Sequence, residues 1–215
     1  MIHRWLVSLA LMATLGLVPK ALNAQAANAS HTHVRHVLSA FTSAPEGQGL
    51  LPTAEAEAAI AVRHAGLAAN DPTDIDRMKE HSRHVLHAID PTAFAEGPGQ
   101  GFGVKAAAQG IVRHIELASG SDGASAGVRT HAAHVAAAAT SVSQRADQIV
   151  DLARQILAAQ DYLRASRMVE QLQALCEDLT TGADASGDGV ISLDEGGLQH
   201  VRQHMELMAQ GEGLR

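Results

Sequence analysis

The stretch HVRHVLSA at residues 33–40 returns almost letter for letter as HSRHVLHA at 81–88, and more loosely as HAAHVAAA at 131–138. A second stretch repeats beside it, VRHAGLA at 62–68 and VRHIELA at 112–118. A chain that carries one local pattern at a regular interval is built from a supersecondary unit used more than once. His33/His36, His81/His84 and His131/His134 are then equivalent pairs, and His64 and His114 equivalent single positions. The unit is complete twice, with a partial copy in front.

Each complete unit reads as a helical hairpin. Residues 54–69 are Ala/Glu-rich with apolar positions at helical spacing. NDPTD at 70–74 then stops the chain, because Asn and Asp favour turns and Pro72 lacks an amide hydrogen. Thr73 is the expected cap of the next helix, 74–89, which ends before Pro91. The second hairpin has a helix over 105–118, a turn at SGSDGAS (119–125) and a helix from 125 to about 159. His64 precedes His81 by 17 residues and His114 precedes His131 by the same 17. Each pair is symmetric about its turn. A rise of 1.5 Å per residue then puts its two members at one height. His84 and His134 follow three residues on, one turn along the same face. The spacing predicts three imidazoles per hairpin, His64/His81/His84 and His114/His131/His134. The connector DPTAFAEGPGQGFG (90–103) carries a GxGxG pattern but neither the Lys-Ser/Thr ending nor the preceding strand of a phosphate loop. It reads as a flexible link.

Neutral imidazole suits zinc, copper and nickel, and helical i,i+3 or i,i+4 pairs supply two ligands at once. His33/His36, His84/His87 and His200/His204 offer further pairs, and Met205 and Met208 beside the last would add soft donors for Cu(I). Histidines on an alanine-rich helix are also often no more than half-buried polar side chains. The H-x2-H pairs and their H…A…H phrasing over residues 54–140, behind an export-like N-terminus, resemble the small histidine-rich metal-binding proteins of bacterial periplasm. That resemblance implies a short helical bundle binding copper or other divalent ions through His64, His81, His84, His114, His131 and His134. This chain is less histidine-dense and richer in Ala and Gly.

DASGDGVISLDE at 184–195 has a different chemistry. A twelve-residue calcium loop needs oxygens at places 1, 3, 5, 7, 9 and 12. Asp184, Ser186 and Asp188, the carbonyl of Val190, Ser192 and a bidentate Glu195 fill them in order. Gly189 occupies the sixth place, where a positive φ is required. The loop resembles the EF-hand family, which implies Ca2+ as its ion, flanking helices over 165–179 and from Leu198 through Met208, and pairing of loops, here across a homodimer. Gly196, Gly197 and TTGA (180–183) depart from the usual flanks. An ion-free Asp/Gly turn is the plain alternative.

The N-terminus has Arg4 before an apolar run from Trp5 to Val18, then Ala24, Ala26 and Ala29. This is the layout of a secretory signal peptide, and the run is short for a membrane span. The expected organisation is a signal peptide at 1–26, a histidine-rich helical body at 27–163 and an EF-hand helix-loop-helix at 164–215. No transmembrane segment is expected after cleavage. The lone Cys176, among Leu172, Leu175 and Leu179, cannot form an internal disulfide and reads as a buried thiol. A formal charge of −7 without a basic stripe argues against nucleic acid. Aromatics are only 2% of residues, so a core of Ala, Leu, Val and Ile favours close-packed helices. The fold expected is all-α: antiparallel helical hairpins in a bundle, with the EF-hand at its end.

The function expected is an exported metal-binding protein, a buffer, carrier or sensor and not an enzyme. A calcium-dependent interaction module with incidental histidines is the alternative. A haem protein or metalloenzyme ranks third, because CxxCH, HExxH and a nucleophile elbow are all missing.

Overall fold

The computed structural model describes residues 20–214, with side chains from Ala29 onward. The expected signal peptide lies outside the described residues, apart from the backbone of 20–26. Seven helices follow one another: α1 (Lys20–Leu38), α2 (Leu50–Ala69), α3 (Ile75–Ile89), α4 (Val104–Gly120), α5 (Ala126–Ala158), α6 (Tyr162–Thr181) and α7 (Leu198–Gly211). Short 3-10 turns occupy Pro45–Gly47 and Leu193–Glu195. The fold is all-α, as the ring-poor composition predicts, and no strand occurs among the described residues.

Alanine sets the packing. α2 buries Ala54, Ala58, Ala61, Ala65 and Ala68, and α5 buries Ala132, Ala138, Ala139, Ala146 and Ala153. Small side chains on these stripes let helix axes approach closely, and Leu50, Leu51, Met78, Ile111, Ile115, Ile149, Leu172 and Met205 fill the spaces between. α2 lies along α3, α4 along α5, α5 against α6 and α7, and α1 against α4. Cys176 is fully buried and free, and burial pushes its thiol pKa up. None of the described helices is long and apolar enough to cross a membrane.

Local sequence signals end the helices where they should. Ser125 caps α5 by accepting from the Val128 amide at 3.0 Å, and Asp161 caps α6 through the amides of Leu163 and Arg164. In the first hairpin the cap is Asp74, accepting from the Arg77 amide at 2.9 Å, and not Thr73. Thr73 is instead taken up by Asp71, which accepts from both its amide and its hydroxyl.

The glycine-rich connector is pinned, not a flexible link. The buried Glu57 of α2 extends Oε1 to the amides of Gln100, Phe102 and Gly103, at 3.1, 3.0 and 3.1 Å. The nest that GQGFG builds at the start of α4 therefore does hold an anion, and that anion is the chain's own carboxylate. His87, buried on α3, completes the clamp through Nδ1 to the Phe94 carbonyl at 2.9 Å. Gly97 passes so close to this ring that a Cβ there would lie 2.7 Å from His87 Cβ.

A second buried polar group organises the C-terminal end. Arg145 of α5 donates to the carbonyls of Asp178 at 3.0 Å and Glu195 at 3.2 Å, tying the end of α6 and the end of the 184–195 loop to α5. Gly182 and Gly196 form an antiparallel bridge that closes the base of the loop. A Cβ at Gly197, the residue just before α7, would lie 2.5 Å from the Thr180 carbonyl oxygen, so glycine there lets the start of α7 approach the end of α6.

Removing the Glu57 carboxylate strands three amides at the start of α4. Glu57→Ala is expected to cost roughly 2–4 kcal/mol in urea denaturation. A loss within experimental error would contradict the clamp.

Candidate metal centres

Three groups of three histidines converge on the described surface: His33/His36/His114, His64/His81/His84 and His131/His134/His204. Each takes an H-x2-H pair from one helix and a single imidazole from another. α1 meets α4 in the first, α3 meets α2 in the second, and α5 meets α7 in the third.

One rule of side-chain placement produces all three. In each pair the residue after either histidine is buried, giving Val34 and Val37, Ser82 and Val85, Ala132 and Val135. The residue between them, Arg35, Arg83 or Ala133, is exposed. Around each single histidine the residues at i−3 and i+1 are buried: Ala61 and Ala65, Ile111 and Ile115, Val201 and Met205. The imidazoles thus stand half-buried at the edge of the apolar stripe, where two packed helices present their rims to each other.

All six sequence-expected histidines take part, but the grouping differs from expectation in the second hairpin. His64, His81 and His84 meet as the symmetry about the turn requires. His114 does not meet His131 and His134, and faces α1 and His33/His36 instead. Equal offsets from a turn fix height. Rotation about the helix axis is fixed by which stripe is buried, and α4 and α5 turn their histidines to different neighbours. The missing partner of His131/His134 is His204. A sequence signal for it exists in HMEL at 204–207, which copies HIEL at 114–117. Gln203, in the place held by Arg63 and Arg113, breaks the VRH phrase and hides the match. His200 stays outside the triad, its Nδ1 accepting from the Gly197 amide at 3.3 Å. Met205 and Met208 are core residues and offer no sulfur to a site.

The geometry is the same each time. His114 Nδ1 lies 3.0 Å from His33 Nδ1 and 3.3 Å from His36 Nδ1. His64 Nδ1 lies 3.2 Å from the Nδ1 atoms of both His81 and His84. His204 Nδ1 lies 3.2 Å from His131 Nδ1 and 3.4 Å from His134 Nδ1. A neutral ring nitrogen carries either one proton or one lone pair. Among neutral rings, two contacts of this length to a single Nδ1 require one N–H shared between two lone pairs, a weaker three-centre arrangement. A cation resolves the conflict by accepting every lone pair at once. Ligands about 2.05 Å from a tetrahedral ion are separated by about 3.3 Å along each edge, and the observed separations match that edge.

The surroundings differ in detail. Phe41 packs edge-on against His36 and His114, with ring centroids 5.6 and 5.1 Å away, and among the described residues no phenylalanine, tyrosine or tryptophan ring plays this part at the other two triads. Burial, then the neighbouring imidazoles, then Arg63 or Arg113 hold His64 and His114 down to about 4. Burial lowers His33, His81 and His204 as well. Each triad thus holds at least one imidazole pushed toward its neutral form, the state a metal requires of its ligands.

The 184–195 loop links α6 to α7. Asp184 Oδ1 accepts from the amides of Gly187 and Asp188 at 2.7 and 3.1 Å, and Oδ2 from Gly189 at 2.7 Å. Glu195 reaches back across the loop to the Ser186 amide at 2.7 Å and to the amide and hydroxyl of Ser192 at 3.0 and 2.8 Å. These donors hold Glu195 down to about 2, Ser192 contributing most, and lower Asp184. Gly189 has the positive φ, +85°, that its place demands. Among the sequence-named loop residues, Val190 has its side chain exposed and its amide on Asp188 Oδ1 at 2.8 Å.

No protein family, curated protein or solved structure matches this chain.

The lowered histidines predict the acid behaviour of the metal-free protein. Their pKa values are depressed in the fold, so the unfolded chain takes up protons first. Stability is complete above about 6.5, the unfolded imidazole value, and falls as pH drops toward 4. Depressed carboxylates contribute only below about 4.5, leaving the window between to the histidines. Thermal melts in chelator should show the midpoint falling steadily from pH 7 to pH 4.5. A flat profile would refute neutral clustering.

Proposed function

We propose that this protein binds three transition-metal cations, one in each histidine triad, and acts as an exported metal buffer or carrier and not as an enzyme. The observation that carries the reading is the threefold recurrence of one Nδ1 at a tetrahedral edge length from two others on a neighbouring helix. Neutral nitrogen donors of this kind suit zinc, copper and nickel. Each ion would join two helices, so loading adds to fold stability. Export is supported by the Arg4–Val18 run and the small residues after it. A buffer or carrier fits repeated sites of one design better than a catalyst, which needs one site with a dedicated acid, base or nucleophile.

A second ion belongs to this reading. The loop of Asp184, Ser186, Asp188, Val190, Ser192 and Glu195 would hold Ca2+. Support comes from the positive φ at Gly189 and from the inward turn of the two ionised end carboxylates, Asp184 and Glu195. One serine in place of a third acid suits the weak sites of extracytoplasmic modules.

Titration of untagged, metal-free protein with Zn2+ should give three equivalents. His64→Ala, His114→Ala and His204→Ala should each remove one, and His200→Ala none. Stoichiometry that ignores His204→Ala would contradict the proposal. Calcium should raise the melting temperature of the wild type but not of Glu195→Gln. Equal shifts in both would remove the loop from the account.

A further inference from the structure

The three triads share one donor set, so the differences among them isolate what surrounds it. Each supplies three ring nitrogens, and among the described residues no fourth histidine, cysteine or carboxylate joins any of the groups. Three nitrogens bound to a tetrahedral ion fill three of its corners and leave one. All nine imidazoles are half-buried at the surface, and beside the first triad a surface cavity opens against His33. Three neutral donors also leave the charge of a bound cation uncompensated, and the fourth corner is the only place where an anion can offset it.

The charges near that corner are not alike. At the first triad the charge of Arg113 bears on His114, and no carboxylate is among the groups that bear on His33 or His114. Arg113 also lines a surface cavity beside His33, together with Leu117, Gly120, Ser121 and a single acid, Glu116. At the second triad Arg63 and Arg77 are opposed by Glu80. At the third, Gln203 stands where Arg113 and Arg63 stand, and only imidazoles bear on His204. The nearby Arg202 is taken up by Glu55 and Glu206.

We infer that the metal at His33/His36/His114 keeps an exchangeable fourth position for a small monodentate anion, drawn in by Arg113, and that the third triad binds such an anion more weakly. The inference rests on the triads holding metal. It makes the first triad a site of ligand exchange, where an incoming anionic donor can enter without any protein ligand leaving. That behaviour belongs to a carrier and not to a closed store. A unit charge about 7 Å from an anion in water-like surroundings changes affinity about threefold, and salt screens the effect.

Cobalt(II) reports both halves of this, because a tetrahedral Co2+ site has an intense visible band that shifts when its fourth ligand changes. The probe is azide, titrated at low ionic strength. One protein keeps the first triad alone (His64→Ala with His204→Ala), and another keeps the third alone (His64→Ala with His114→Ala). Arg113→Gln in the first of these and in the full chain provides the control. The expected result is a visible band in each, with azide binding about threefold tighter at the first triad and that advantage lost in Arg113→Gln. A band that azide leaves unmoved, or equal affinities at the two triads, overturns the inference while the metal reading stands. Absence of any cobalt band overturns both.

Discussion

A ring nitrogen can share one proton or one lone pair, and in three places among the described residues one Nδ1 lies 3.0–3.4 Å from the Nδ1 atoms of two further histidines. Everything else in the fold has to tolerate that arrangement. Where all three rings present their lone pairs to one another, those pairs repel unless a cation sits among them. Burial makes the alternative, protonating the rings, costly as well. The clusters sit where helices are already pressed together by apolar contacts, so packing holds the nitrogens in place. The core sets the geometry and the geometry sets the chemistry.

Alanine makes that core possible. Helices that meet through Ala61, Ala65 and Ala68, or through Ala132, Ala138 and Ala139, approach closely enough for imidazoles on the two rims to meet. Bulkier residues on those stripes would push the rims apart. Two buried charged groups hold the irregular parts to this frame. Glu57 fixes the connector into α4, and Arg145 fixes the end of the loop that leads into α7. His134 and Arg145 are eleven residues apart on α5, close to three full turns, so they lie on one face. Through that face α5 holds the C-terminal segment at two points, the third triad and the Glu195 carbonyl.

The helices and the second triad were legible in the sequence because both depend on local spacing. The turn at NDPTD, the offsets of His64 and His81 and the i,i+3 step to His84 each constrain one hairpin. The other two triads depend on which distant helix a face meets, and spacing within a hairpin carries no information about that. His33/His36 belonged to a pair already visible as a repeat, yet its partner lies on α4 across two intervening helices. His204 was hidden by the replacement of the preceding arginine with Gln203, in front of an otherwise recognisable HMEL. The connector misled for a different reason. Gly and Pro signal irregular backbone, but irregular backbone is rigid when a buried carboxylate binds its amides, and Glu57 lies more than forty residues earlier in the chain.

The central claim is that nine histidines bind metal through Nδ1 in three sets of three. Long-range proton–nitrogen correlation spectra of the 15N-labelled, zinc-loaded protein test it atom by atom, because the two ring nitrogens have distinct shifts when metal-bound and when protonated. The account predicts metal-bound Nδ1 and protonated Nε2 for His33, His36, His64, His81, His84, His114, His131, His134 and His204, with His31, His87 and His200 unchanged by zinc. Metal on Nε2, or zinc-dependent shifts spread over His87 and His200, would contradict it.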